Sequence, residues 1–150
     1  MDKQVIYHTT MMGCDPELFF ERGGQVIGAE KVIPEAGLST LSSGNSYSNR
    51  KAFVLDGVQV ELNPHPTLCR ESLGYELGTS FRALRLHLAG MNGIKASFRS
   101  VVEVDRAELD SLSEKARVLG CAPSQNIYDQ AASITVDAAT YTKRSAGGHI

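Results

Sequence analysis

The chain has 150 residues, 42% hydrophobic and 21% charged, the balance of a globular domain with a core rather than of a disordered chain. Lys and Arg number 15 against 17 Asp and Glu, and the net charge of −2 supplies no general attraction for nucleic acid or an anionic membrane. No apolar run reaches the roughly 20 residues of a membrane span, and Met1-Asp2-Lys3-Gln4 does not read as the start of a signal peptide.

Gly13 to Pro16 reads as a turn, and residues 17–22 as a strand. Gly23-Gly24 is a two-residue hairpin signal, with Gln25-Val26-Ile27 returning. In residues 37–50, nine of fourteen are Gly, Ser or Asn, which predicts a mobile loop: either a lid or plain disorder. Residues 52–55 form a short strand. Asp56-Gly57 is a tight-turn pair, and residues 58–62 return with Val58, Val60 and Leu62 on one face and Gln59 and Glu61 on the other.

Residues 66–88 predict one long helix, with Leu73, Leu77, Phe81, Leu84 and Leu88 in a stripe and Gly90 and Gly93 ending it. From Ile94 to Asp105 apolar and polar residues alternate, which predicts a half-buried strand. Asp105 and Glu108 suggest a capping box for a helix carrying Leu109, Leu112 and Ala116, stopped by Gly120. Residues 121–129 read as a loop, and 134–136 as a further strand. The expected fold is α+β, mainly antiparallel sheet with one long packed helix, in a single domain of residues 1–150.

Cys14, Cys69 and Cys121 make an odd set without a C-x-x-C pair, so the cysteines read as packing residues of a reducing compartment. Three segments carry polar groups beyond structural need. In Asp15-Pro16-Glu17 two carboxylates share a face of an extended chain. They repel unless a cation lies between them, and hard divalent cations prefer such oxygens. In the segment 56–64, Gln59, Glu61 and Asn63 share a strand face, which becomes a site only if Glu61 lies beside Asp15 or Glu17. In Arg144-Ser145-Ala146-Gly147-Gly148-His149, the glycine pair can bring backbone N–H groups to a phosphate, Arg can clamp it, and His can ligate metal. His87 reads as structural on its helix; His65 and His8 carry weaker site signals.

In order, Gly13-Cys14-Asp15-Pro16-Glu17-Leu18-Phe19-Phe20, residues 56–63, Gly120-Cys121-Ala122-Pro123 with Asn126, and residues 144–150 resemble the phage carboxylate–amine ligases of type 2. That family is distantly similar to glutamine synthetase and glutamate–cysteine ligase. The resemblance implies a partial glutamine synthetase-like fold, ATP and Mg²⁺ (or Mn²⁺) as cofactors, and amide-bond formation through an acyl phosphate. It implies Glu17, Glu61 and His149 as metal ligands, with Asp15 as a further acidic position. Arg144 and Glu61 are the expected catalytic residues. Arg144, Gly147 and Gly148 would hold nucleotide, and Gln59 and Asn63 would contact substrate. The implied partners are a carboxylate and an amine on a peptide, protein or small molecule, in the cytoplasm of an infected bacterium or in the virion.

The family's last motif continues past its Gly-rich turn, whereas this sequence ends at Ile150. That raises two expectations: a piece of a longer ligase, or a shortened, non-catalytic virion or assembly protein on the same fold. Either would leave a sheet edge to be covered by an oligomer or a partner chain.

Overall fold

The structure, a computed structural model, describes residues 10–33, 53–119, 136–137 and 140–148. It is α+β with antiparallel pairing throughout the described strands. Strand β1 (Glu17–Arg22) organises it. Its residues alternate between two faces, and its backbone groups alternate between two edges. Along one edge it pairs first with β4 (Gln59–Leu62), where Leu18 faces Val60, and then with β2 (Gln25–Ile27), where Phe20 faces Ile27. Along the other edge lies β5 (Ile94–Ser97). Strand β3 (Phe53–Asp56) pairs with the far side of β4. Pro16 fits this start of a strand: its carbonyl accepts from the Leu62 N–H at 2.9 Å, and its missing N–H removes only one ladder bond.

The sheet has apolar residues on both faces because it is covered on both. On one face Leu18, Phe20, Phe53, Val60 and Leu62 pack with Ala29 and Val32 of α1 (Ala29–Val32) and with Leu84 of α2 (Arg70–Ala89). Each of these Val, Leu and Phe side chains taken from water contributes about 1.5–3 kcal/mol. On the other face Phe19, Val26 and Val58 pack with Val102 and Val104, Leu109 of α3 (Arg106–Asp110), Leu112, and Ala116 of α4 (Glu114–Arg117). A second small sheet joins β6 (Val101–Glu103) to β7 (Lys143–Ser145) over this face.

Several expectations change, among them the one helix expected to carry Leu109, Leu112 and Ala116, which is two, α3 and α4, with Leu112 between them. The long helix starts at Arg70 rather than Pro66, because Thr67 exchanges backbone bonds with Met12 at 2.7 and 2.8 Å. The single strand from Ile94 to Asp105 is two. Ile94 and Ala96 pack toward the α2 side, whereas Val102 and Val104 pack in the opposite layer, so the chain turns through Phe98, Arg99 and Ser100. Arg99 bonds Glu21 at 2.9 Å and holds that corner. The expected capping box is half present: Asp105 caps the Ala107 N–H, but the Glu108 carboxylate reaches away to the Gly28 N–H at 2.9 Å and to Lys31 at 2.7 Å. Strand β7 and helix α1 carry no periodic signal of their own; pairing and packing create them. The loop 37–50, Gly120, the segment 121–129 and residues 134–135 lie outside the described residues. Val136 lies in no strand and is exposed. Among the described residues no helix is long and apolar enough to cross a membrane.

Candidate metal centre

The site begins with register. Glu17 of β1 faces Glu61 of β4. The Pro16 carbonyl points toward β4, so the Glu17 N–H points to the opposite edge and donates to the Gly147 carbonyl at 2.9 Å. Glu17 and Glu61 are therefore a non-hydrogen-bonded pair, the kind whose side chains lie closest. On the next strand Val54 faces Glu61 and Asp56 faces Gln59, so Asp56 sits diagonally from Glu61 on the same face.

The placement of Asp56 rests on the turn. The two loop residues are Gly57 and Val58, with Gly57 at φ 61° and no positive φ at Val58, the pattern of a type II′ hairpin. Only glycine enters that first loop position without strain. Asp56 is thus the last strand residue rather than a turn residue. Val58 correspondingly leaves the face of Val60 and Leu62 and packs with Phe19, against the single apolar face expected for residues 58, 60 and 62.

Glu17, Asp56 and Glu61 each place a carboxylate oxygen within 4.8 Å of the others, and all three are half-buried. Two like charges about 4 Å apart repel by roughly 4 kcal/mol at the effective dielectric near a protein surface. Three carboxylates facing one point offer the hard oxygen donors that Mg²⁺ and Mn²⁺ take. Asp15, expected as a further ligand, is not in this set. Gln59 is buried beside it on the same face, and Asn63 is half-buried just past the end of β4. His149 lies outside the described residues.

The Gly-rich segment reaches the cluster by an unexpected route. The Gly147 N–H donates to Glu17 Oε2 at 2.7 Å while its carbonyl accepts from the Glu17 N–H. That amide is committed to a carboxylate rather than presented to a phosphate. Gly148 passes so close to β1 that a Cβ there would lie 3.0 Å from the Pro16 Cα. Gly148 is therefore explained by close approach to Pro16, whereas a Cβ at Gly147 would make only an ordinary contact, 4.0 Å from Glu17 Oε2.

Arg144 also differs from its expected role at a phosphate. It is buried, and its guanidinium donates to the carbonyls of Tyr141 (2.6 Å), Lys143 (3.0 Å) and Arg117 (2.9 Å). Arg117 ends α4, so the cation also meets the negative end of that helix. Burial, helped by the charge of Arg106, pulls this guanidinium below its ordinary pKa. Arg144 ties β7 to α4. His87 bonds the Val32 carbonyl at 2.8 Å and joins α2 to α1, the structural role its position suggests.

Asp56 is the residue that sequence reading missed. Its signal was present: a Gly-Val loop places the preceding Asp in register with Gln59, whereas an Asp-Gly turn removes it from the strand. No family model, no curated protein and no solved structure matches the chain. The geometry defines the class on its own terms: an antiparallel α+β fold with a three-carboxylate cluster at the meeting of β1, β3 and β4.

Proposed function

We propose that the chain is an ATP-dependent carboxylate–amine ligase that works through an acyl phosphate. The observation that carries the reading is the convergence of three carboxylates from two distant segments, Glu17 from the first and Asp56 and Glu61 from the second, with a third segment bonded to Glu17. These are the segments on which the resemblance to the phage ligases rests. Glu17, Asp56 and Glu61 would hold Mg²⁺ or Mn²⁺, with His149 as the further ligand the resemblance implies. A bound cation would offset the repulsion between ATP and the substrate carboxylate, both negative. That carboxylate would attack the γ-phosphorus and displace ADP. The amine would then attack the acyl carbon and displace phosphate. Gln59 and Asn63, on the same face, would orient the substrate. The family, the phage origin and the glutamine synthetase-like topology are parts of this proposal.

The experiment is phosphate release from ATP by the intact protein with Mg²⁺ and mixtures of amino acids and amines, and the same with Glu61→Gln. The reading expects amine-dependent release that falls at least about a hundredfold in the variant, since positioned charge stabilisation contributes factors of that order. Release unchanged in Glu61→Gln would overturn it. Neither turnover nor saturable ATP binding would favour the non-catalytic virion or assembly protein.

A further inference from the structure

We infer that Gly147 is a positioning residue for Glu17, and that the glycine pair serves the cation rather than the nucleotide. The inference rests on the cation reading proposed above and concerns how one ligand of that site is held. A glutamate side chain has three rotatable bonds, and a carboxylate facing Glu61 across a ladder is pushed away from it. Something must hold Glu17 in place before a cation arrives. The Gly147 N–H does so from the opposite edge of β1, bonding Oε2 at 2.7 Å. One such bond leaves the carboxylate further lone pairs for a cation shared with Asp56 and Glu61.

The holding group is itself held. The Glu17 N–H returns a bond to the Gly147 carbonyl at 2.9 Å, and the Ala146 N–H bonds the Ser100 carbonyl at 2.9 Å. Gly148 then lies against Pro16, where a Cβ would be crowded at 3.0 Å from the Pro16 Cα. Residues 146–148 are thus pinned to β1 and to the corner before β6, and the Gly147 amide that bonds Glu17 comes from a fixed backbone. Carboxylates that ligate metal are commonly held by such a second hydrogen bond, and losing it weakens metal binding by about 10–100-fold.

The test is Mn²⁺ binding to the full chain, measured by titration calorimetry and by the loss of the free-ion electron resonance signal. Gly147→Ala keeps the N–H, and its Cβ would lie 4.0 Å from Glu17 Oε2, an ordinary contact. Gly147→Pro removes the N–H and keeps the carbonyl. The expected result is wild-type affinity within about twofold for Gly147→Ala and at least about tenfold weaker binding for Gly147→Pro, with unchanged stoichiometry. A purely structural role would lower the melting temperature of the metal-free protein without changing Mn²⁺ affinity once folded. Wild-type affinity in Gly147→Pro therefore overturns the inference. If Gly147→Pro does not melt cooperatively, Gly148→Val takes its place, since a branched side chain whose Cβ starts 3.0 Å from the Pro16 Cα displaces the segment; wild-type affinity there overturns the inference equally. Should the wild-type protein bind no Mn²⁺, or Glu61→Gln leave binding unchanged, the cation reading fails first and takes this inference with it.

Discussion

Glu17 stands directly across from Glu61 in a non-hydrogen-bonded pair of the β1–β4 ladder. An antiparallel sheet ordinarily avoids like charges there, because opposed carboxylates destabilise the pair. Asp56 adds a third negative group within 4.8 Å. Under the cation reading proposed above, this repulsion should lower stability without metal and be relieved when a cation binds.

Asp56→Asn should therefore act in two opposite directions. It keeps the shape and removes one charge, so the metal-free protein should gain up to about 1 kcal/mol. For a chain of this size that is roughly 2–4 °C in melting temperature. Millimolar Mn²⁺ should raise the wild-type melting temperature, by about 2.7 kcal/mol of stability at a hundred times Kd, and should raise the variant's far less. Melting curves in EDTA and in MnCl₂ give both numbers. A variant less stable without metal and equally responsive to it would remove the cation from the account.

Gly28 joins β2 to α1 under a tight contact. A Cβ at this position would lie 2.4 Å from Leu112 Cδ2, and Leu112 is buried in the layer with Phe19. Gly28→Ala should cost about 1–3 kcal/mol through overpacking. Leu112→Ala alone should cost about 2–5 kcal/mol. The double variant should cost clearly less than the sum, because each change makes room for the other. Urea denaturation of the four proteins completes the cycle, and strict additivity would show that the two residues do not meet.

Arg144 should behave as a structural residue. Its removal strips a charged donor from three part-buried carbonyls, and hydrogen bonds to charged groups contribute about 1.5–3 kcal/mol each. Arg144→Ala should lose at least about 3 kcal/mol, roughly 6–12 °C in melting temperature. Arg144→Lys should recover little, since one ammonium cannot span the carbonyls of Tyr141, Lys143 and Arg117 as the planar fork does. An Arg144→Lys protein with wild-type melting behaviour but weakened ATP binding would return this residue to the phosphate.

The two described cysteines should differ in reactivity. Cys69 is exposed at the N-cap of α2, and its hydrogen bond with Ser72 at 3.1 Å lowers the thiol pKa. Burial first, and the Asp15 charge second, raise that of Cys14. The thiolate is the reacting form, so iodoacetamide at neutral pH should label Cys69 well before Cys14. Ser72→Ala should slow Cys69 specifically. Peptide mass spectrometry over a time course resolves both sites, and equal labelling rates would contradict the assignment.

The local features were legible along the chain. Gly23-Gly24 makes the first hairpin because two residues suffice to reverse an antiparallel pair. The stripe Leu73, Leu77, Phe81, Leu84 and Leu88 makes α2 because 3.6-residue periodicity puts them on one side, and Leu77, Phe81, Leu84 and Leu88 pack in the core under the sheet. The resemblance to the phage ligases names Glu17 and Glu61 together, whereas alternation alone places Glu17 with Asp15 on one extended face and Glu61 with Gln59 and Asn63 on the face of another strand. These are properties of spacing within one segment, and spacing is written in the chain.

What needed the folded molecule was every relation between segments. Periodicity does not say that the Ile94–Asp105 stretch changes layers at Phe98, since residues of the same parity serve opposite cores on either side of that corner. Residue type does not say that Arg144 faces carbonyls rather than phosphate, because a guanidinium donates to both. The Asp56 carboxylate joins Glu17 and Glu61 only because Gly57 and Val58 form the loop. The Gly147 amide meets Glu17 across 130 positions of chain because β1 has a second edge there. Which donor meets which acceptor depends on strand register and layer order, and these follow from packing summed over the whole core rather than from any one motif.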